Sequence, residues 1–312
     1  MLFWRKKLLL SKIESSYGVD SSPAAATDAV LIQASDVTLT PLEAEELPRD
    51  VVRAGGEKGA FLRQLVGKHV VLEFSVEMAG SGTVDTPPAY GTLLRACGLA
   101  ETINATTSVQ YDPVSESEES VSVYMHIDGV LHKLLGARGN VSLEFAVRQK
   151  PRYQFRLMGL FAAVTDVAFP SPTYANQQQP LPVSNENTPT ATLHGTSILF
   201  SNLNADLGNA VVHDELVGSE EMIIEDREAS GEVTIEAVTV ATKDWFGAVT
   251  AETLDALQVV HGTVAGNIVQ IDAPKVQLLS PRYDNRAGKA MLTMGLNLTP
   301  DSGDDELRIT TQ

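Results

Sequence analysis

The sequence contains very little cysteine, and this scarcity excludes two kinds of architecture. Cys97 is the single cysteine in 312 residues, so neither an intrachain disulfide framework nor a cysteine-based zinc site can form. Cys97 also falls on the apolar side of a predicted helix, which is typical of a buried and inert thiol.

Long hydrophobic runs are missing as well. The uninterrupted apolar run near the N-terminus, Leu8 to Leu10, is far shorter than the apolar core of a secretion signal. No other segment approaches the length of a membrane span. We therefore expect a soluble protein that is made in the cytoplasm and does not insert into membranes.

Basic residues are few relative to acidic ones. The chain has 23 Lys and Arg against 40 Asp and Glu, which gives a formal net charge of -17 and a pI near 4.7. Because binding to nucleic acid by counterion release needs clustered cations, this balance argues against a protein that captures DNA or RNA. The apolar fraction of 43% is that of an ordinary globular chain, long enough for two domains.

Motifs for catalysis or ligand binding are also lacking. Gly80-Ser81-Gly82 has no following Lys-Ser/Thr, the six histidines form no HExxH, and no nucleophile elbow is present. Glu73 and Glu77 share a strand face, but four residues along a strand separate them by about 13 Å, beyond the roughly 5 to 9.5 Å of paired carboxylate catalysis. A cross-strand partner such as Glu144 stays open, so a glycosidase is a distant alternative. We expect no enzyme, no cofactor and no metal.

The stretch from Gly67 to Gly98 is the most informative part of the sequence. Every second residue of its first half is apolar, which predicts a strand with one buried face: Val70, Leu72, Phe74, Val76 and Met78. Its second half predicts a helix of about ten residues, because apolar residues recur at helical spacing: Tyr90, Leu93, Leu94 and Cys97.

A counterpart of this strand and helix recurs at residues 231–256. Val233, Ile235 and Ala237 alternate with polar residues, and Thr242 is a suitable N-cap for a helix. The apolar residues Trp245, Phe246 and Val249 give that helix its buried side. The sequence therefore predicts one architecture used twice.

Strand patterns and loop-forming residues divide the chain into four segments. Further alternating segments at 121–128, 141–148 and 152–157 predict an antiparallel sheet, and the Pro- and Gln-rich stretch after them predicts a linker. We expect an N-terminal arm (1–34), a first β domain (35–165), a linker (166–189) and a second β domain (190–312). We expect a partner to cover the apolar residues of the arm, with folding back on its own domain as the alternative: Phe3, Trp4 and Leu8.

Several segments together resemble the tail tube proteins of bacteriophages with long, non-contractile tails. The likeness runs along nearly the whole chain and is carried by KLLLSKIESSYGVD, VTLTPLEAEELPRD, EFSVEMAGSG with PPAYGTLLRACGLAET, YMHIDGVLHKLLGARGNVSLEF, GNIVQIDAPKVQLLSPRYDNRAG and SGDDELRI. The resemblance implies a mainly β fold, a β-sandwich or half-barrel with one flanking α-helix, duplicated here. It also implies rings that stack into a tube through which genomic DNA passes, and it brings no catalytic residues.

The resemblance further implies where contacts lie. The long loop from about Glu43 to Leu65 would touch the adjacent ring, with these candidates: Glu43, Glu45, Glu46, Arg49, Asp50, Arg53 and Lys58. An acidic lumen would let DNA slide, with these candidates on polar strand faces: Glu73, Glu77, Glu144, Glu232 and Glu236. The expected partners are other copies of the chain and other tail proteins (tape measure, tail terminator, distal tail), within a virion tail assembled in the host bacterial cytoplasm.

Strand geometry bears on the number of copies in a ring. If each half supplies about four strands, six halves give roughly 24 strands and a backbone diameter of about 48 Å, wide enough for duplex DNA. Three copies arranged as a pseudo-hexamer fit best, and a true hexamer stays open if the second half decorates the outside. The alternative from another functional class is a β-sandwich adhesin or carbohydrate-binding module.

Overall fold

Alternating apolar residues produce a structure that is almost entirely antiparallel sheet. The computed structural model describes residues 1–52, 55–56 and 58–312, and within them it has twenty strands and two helices. The first half contains β1 (Lys7–Ile13), β2 (Ala29–Val30), β3 (Thr38–Leu47), β4 (Gln64–Glu77), α1 (Gly91–Ala96), β5 (Leu99–Asn104), β6 (Ser108–Pro113), β7 (Val121–Ile127), β8 (Val130–Ala146), β9 (Arg152–Phe161) and β10 (Thr165–Asp166).

The second half repeats much of this order. It contains β11 (Thr190–Leu193), β12 (Thr196–Ser197), β13 (Phe200–Asp206), β14 (Asn209–Leu216), β15 (Ser219–Arg227), β16 (Ser230–Glu236), α2 (Trp245–Thr250), β17 (Leu254–His261), β18 (Val269–Arg286), β19 (Lys289–Thr299) and β20 (Arg308–Thr311). Each half therefore supplies one helix to a mainly β fold, as the sequence predicts.

Eight strands form one continuous layer, which we call the central sheet. Their order is β3-β4-β9-β8 from the first half, followed by β13-β16-β19-β18 from the second half. The two halves meet where the end of β8 pairs with β13, from Ser142↔Asp206 to Ala146↔Asn202. Sheet pairing thus crosses the predicted domain boundary, and the division into domains stays a prediction.

Further strands lie beside the N-terminal parts of the two longest strands, β8 and β18. β7 pairs with the N-terminal part of β8 and is followed by β1 and β2. In the second half β17 pairs with the N-terminal part of β18 and is followed by β11 and β12. These strands have the same arrangement in both halves, which is the repeated architecture that the sequence predicts. β20 is an exception, because it pairs both with β18 and with β6 of the first half.

One face of the central sheet packs into a continuous apolar core. The inward residues of β4 are almost completely buried, as their alternation predicts, and so are the apolar residues of and around α1: Val70, Leu72, Phe74, Val76, Tyr90, Leu93, Leu94 and Cys97. Each such side chain stabilises the fold by about 1.5 to 3 kcal/mol relative to an exposed one. Burial also raises the pKa of the Cys97 thiol, which keeps it protonated and inert.

The helices are shorter than predicted, and one of them has a different N-cap. Both helices have six residues, where the sequence predicts about ten for the first. The N-cap of α2 is Asp244, whose carboxylate accepts a hydrogen bond from the Gly247 amide at 2.7 Å. The prediction of Thr242 was wrong because its hydroxyl instead pairs with the hydroxyl of Thr239.

The N-terminal segment is part of the sheet, so Leu8 is covered by its own chain and not by a partner as expected. β1 pairs with β7 along its whole length, and Leu8 is only 1% exposed. Leu8 packs against Leu10, Ala29, Tyr124 and Leu131. The alternative in which the arm folds back on its own domain holds for this strand, whereas Phe3 and Trp4 remain about 60% exposed.

Two hairpins rich in charged residues extend beyond the central sheet. β3 continues to Leu47 and β4 begins at Gln64, so only residues 48–63 connect them, fewer than predicted. In the second half β14 and β15 form a separate two-stranded sheet. In each hairpin the neighbouring strand holds these Glu-rich residues in extended conformation, which propensity alone does not favour.

The Pro-rich connection between the halves has no strand between Asp166 and Thr190 but is tied down by its backbone. The Thr173 amide donates to the Ala25 carbonyl, and the Gln178 amide donates to the Gly80 carbonyl. This connection therefore lies along the first half of the chain.

Candidate functional site

The face of the central sheet that points away from the core is polar, and it brings together all five glutamates predicted to line a lumen. Each of them forms an ion pair with a cation on the same face. The pairs are Glu73–Arg156 (3.3 Å), Glu77–Lys150 (2.7 Å), Glu144–Arg152 (2.7 Å), Glu232–Arg282 (2.7 Å) and Glu236–Lys289 (3.1 Å). This polar face is therefore largely neutralised and is not a purely acidic surface.

Amides and hydroxyls fill the space between these ion pairs. Asn140 donates to Asp206 at 2.6 Å across the junction of the halves, and Gln154 donates to Glu144 at 3.2 Å. A shallow cavity of about 440 Å³ lies over the same junction, lined by residues such as Asn202 and Asn204. The surface offers hydrogen bonds in many directions but no concentrated charge.

The same contacts argue against carboxylate catalysis. Glu144 is held by Arg152, whose guanidinium also contacts Asp36 at 3.1 Å, and Glu73 is held by Arg156. Paired carboxylate catalysis needs two carboxyl groups that converge on one substrate, whereas each of these carboxylates is engaged by its own guanidinium. Both carboxylates are therefore engaged in ion pairs on the polar face.

The two hairpins lie side by side and contact each other. Met222 of β15 is completely buried against Val71 and Met158, and its carbonyl accepts a hydrogen bond from the Arg138 guanidinium at 2.8 Å. The rings of His69 and His213 are 5.1 Å apart, one from each hairpin. The hairpin bases are thus fixed to the sheet, while their tips extend into solvent.

The predicted inter-ring residues are distributed along the first hairpin. Glu43, Glu45 and Glu46 lie on β3, paired with β4, and Glu46 forms an ion pair with Arg63 at 2.5 Å. Three further candidates are exposed in the connecting loop: Arg49, Asp50 and Lys58. Arg53 lies outside the described residues. Large apolar side chains are also exposed at the tips of the two hairpins: Val52, Leu62, Leu216 and Val217.

Two edges of the central sheet lack a neighbouring strand in the described part of the chain, and the sequence reasoning did not identify them. β3 has a paired strand, β4, on one side only. β18 has β17 beside it as far as Gln277, after which no described strand pairs with that side of Leu278–Arg286. The Phe246 ring of α2 lies beside Tyr283 there, with ring centroids 6.0 Å apart. The duplication could have identified these edges, because the equivalent edges of β8 and β13 are paired with each other inside the chain.

Sites for small ligands or metals are not evident. A cavity of about 680 Å³ contains Arg227, but this guanidinium is already paired with Asp304 at 2.9 Å and with Glu306. Within residues 1–52, 55–56 and 58–312, no group of three or more His, Cys, Asp or Glu side chains is placed to hold a metal. Nor does that part of the chain have a helix with the length and hydropathy to cross a membrane.

Open edges of an antiparallel sheet are surfaces on which further strands can pair, a feature of structural proteins that assemble through their sheets. The sequence model of the family described as phage tail tube protein matches residues 4–310, and the chain belongs to this family. As a member, it is a structural component of the virion tail that self-assembles into a tube together with other tail proteins. No curated protein matches the sequence.

Proposed function

We propose that this protein is the major tube subunit of a long, non-contractile phage tail, forming closed rings that stack around a channel for genomic DNA. The observation that carries the proposal is the eight-stranded central sheet, in which two equivalent halves already join edge to edge. Both outer edges of that sheet are open, so further copies extend the same pattern until a ring closes. Closure removes exposed sheet edges, which otherwise promote aggregation.

The size of the sheet favours three copies in a ring. Eight strands in each copy give about 24 strands in a trimer, which at a spacing of about 4.8 Å and a tilt of about 40° closes to a backbone diameter of about 48 Å. Inward side chains reduce the bore to roughly 30 Å, enough for duplex DNA. Six copies would double the diameter, because both halves of the chain belong to the central sheet.

The polar face of the central sheet is the surface that we assign to the lumen. Its five ion pairs leave few free cations to hold phosphate, and the net charge of -17 gives the whole ring a repulsive field toward DNA. DNA can therefore pass without being bound. In this arrangement Glu73, Glu77, Glu144, Glu232 and Glu236 face the channel, each with its cation beside it.

The hairpins are the parts that we assign to contacts between rings. Their tips expose apolar residues that a soluble monomer has no reason to display, including Val52 and Val217. Phe3 and Trp4 form a further exposed apolar surface, suited to a neighbouring copy or another tail protein. Assembly of this kind would take place in the host bacterial cytoplasm.

Electron microscopy of the purified protein tests this function directly. We expect rings or tubes in negative stain, and class averages down the axis with threefold symmetry and six similar units around a bore of roughly 30 Å. A monodisperse monomer that persists at high concentration would contradict the proposal and favour a binding module. Sixfold rings built from six chains would retain the tube but overturn the trimer.

A further inference from the structure

We infer that β18 of one copy pairs antiparallel with β3 of the next copy, with Asp284 opposite Thr38, in the register of the junction between β8 and β13. This inference rests on the proposed ring, and it specifies which edges meet and residue by residue how they align. The junction of β8 with β13 inside the chain is the template for the junction between chains.

Equivalent positions in the two halves are fixed by matching ion pairs. Glu77 ends β4 and pairs with Lys150, while Glu236 ends β16 and pairs with Lys289. Four residues before each of these glutamates lies a second paired glutamate, Glu73 or Glu232. These four glutamates define the alignment of the halves.

The alignment extends across the sheet by direct pairing. Glu77 faces Arg152, which faces Glu144 on β8, and Glu236 faces Met291, which faces Asp284 on β18. Asp284 is therefore the counterpart of Glu144. β8 ends two residues later at Ala146, and β18 ends two residues later at Arg286, so the strand ends agree as well.

Direct pairing also identifies the partner strand. Asn204 on β13 faces Glu232, and Thr38 on β3 faces Glu73, so Thr38 is the counterpart of Asn204. Inside the chain Glu144 and Asn204 face each other. Their counterparts Asp284 and Thr38 lie at the two open edges. If these edges meet as β8 and β13 do, Asp284 of one copy faces Thr38 of the next.

The side chains on these edges suit this alignment. Tyr283 is 65% exposed and is placed opposite Leu39, whereas the corresponding residues inside the chain, Leu143 and Ala205, are buried. Pairing would cover Tyr283 in the same way. At the end of the strand the register places Arg286 opposite Asp36, two side chains of opposite charge.

A disulfide between copies tests the register. The Leu207 amide donates to the Val141 carbonyl and the Val147 amide donates to the Ser201 carbonyl, so Glu144 and Asn204 form the pair between hydrogen-bonded ones. In such pairs the Cα atoms are about 4.5 Å apart, within the range of a disulfide. We expect Asp284→Cys combined with Thr38→Cys to cross-link copies on mild oxidation.

Cross-links within one chain cannot mimic this result. Thr38 and Asp284 lie on opposite edges of the central sheet, seven strand spacings or about 34 Å apart along the layer. The buried Cys97 stays unreactive and is retained. The matched control combines Asp284→Cys with Leu39→Cys, which moves one thiol to the other face of the sheet.

The outcomes separate this inference from the proposed function. The inference is supported if non-reducing electrophoresis gives a ladder ending at three chains for the Thr38 pair, with at least tenfold less product for the Leu39 control. Rings seen by microscopy without a selective cross-link would overturn the register and leave the tube function intact. If no rings form under conditions where the unmodified protein is folded, both fail.

Discussion

At the scale of single residues, Glu14 is a buried carboxylate held by hydrogen bonds from four other residues. It follows β1 and is 9% exposed, and it accepts hydrogen bonds from the amides of Gly18 and Gly136 at 2.8 Å and from the hydroxyls of Ser120 and Ser122. An ionised carboxylate only accepts hydrogen bonds, so four converging donors match it. This cluster connects the N-terminal segment to β7 and β8.

Replacing Glu14 with glutamine keeps the size of the side chain but places an amide donor among these donors. We expect Glu14→Gln to lower the free energy of unfolding by about 2 to 4 kcal/mol, because buried donors lose their acceptor. Urea denaturation of the unassembled chain measures this. The control Glu73→Gln removes a half-exposed ion pair and should change stability by less than about 1 kcal/mol; equal effects would contradict the role of Glu14.

At the scale of elements, the sequence predicted what local patterns determine and missed what distant strands determine. The alternation in β4 and in β7 predicted these strands and their buried faces, because a strand with one wet side follows period two. The β14–β15 hairpin was missed since its acidic residues bury only Met222, on a surface supplied by the first half. Likewise, β1 was read as an exposed arm because its partner β7 lies more than a hundred residues away.

The N-cap of α2 gives a prediction for one element. Asp244→Ala removes the acceptor of the Gly247 amide, and we expect a loss of about 1 kcal/mol in the free energy of unfolding. Thr242→Ala is the matched control, because its exposed hydroxyl contacts only Thr239 in the described hydrogen bonds, and a change of about 0.5 kcal/mol or less is expected. Thermal unfolding followed by circular dichroism compares the two. A larger loss for Thr242→Ala would restore the sequence-based assignment.

At the scale of the whole molecule, the duplication explains more than any single site. The sequence indicated two similar units from one strand and helix in each, but it could not show that they share one sheet. That fact depends on the pairing of β8 with β13, and it determines which edges remain open. The ion pairs of the polar face were equally hidden, since Glu77 and Lys150 are distant in sequence. The predicted strand faces placed the glutamates on one side of their strands, whereas the cations that pair with them are visible only in the folded sheet.

The separation of ring closure from ring stacking leads to a prediction about the hairpin tips. In the proposed assembly the sheet edges close each ring, while exposed apolar residues of the tips join one ring to the next. Val52→Asp combined with Val217→Asp should therefore leave rings intact and prevent them from forming tubes, because each change buries a charge in the contact between rings. Both side chains are fully exposed in the monomer, so the free energy of unfolding should change by about 0.5 kcal/mol or less.

Sedimentation velocity and negative-stain microscopy measure this effect at matched protein concentrations. Val240→Asp, in the exposed loop before α2, is the control for added charge away from the tips and should still form tubes. Tubes formed by the double variant at the same concentration as the unmodified protein would show that the tips do not join rings. Loss of rings as well as tubes would instead place the hairpin tips within the ring contact, which pairing of the open edges of β3 and β18 does not require.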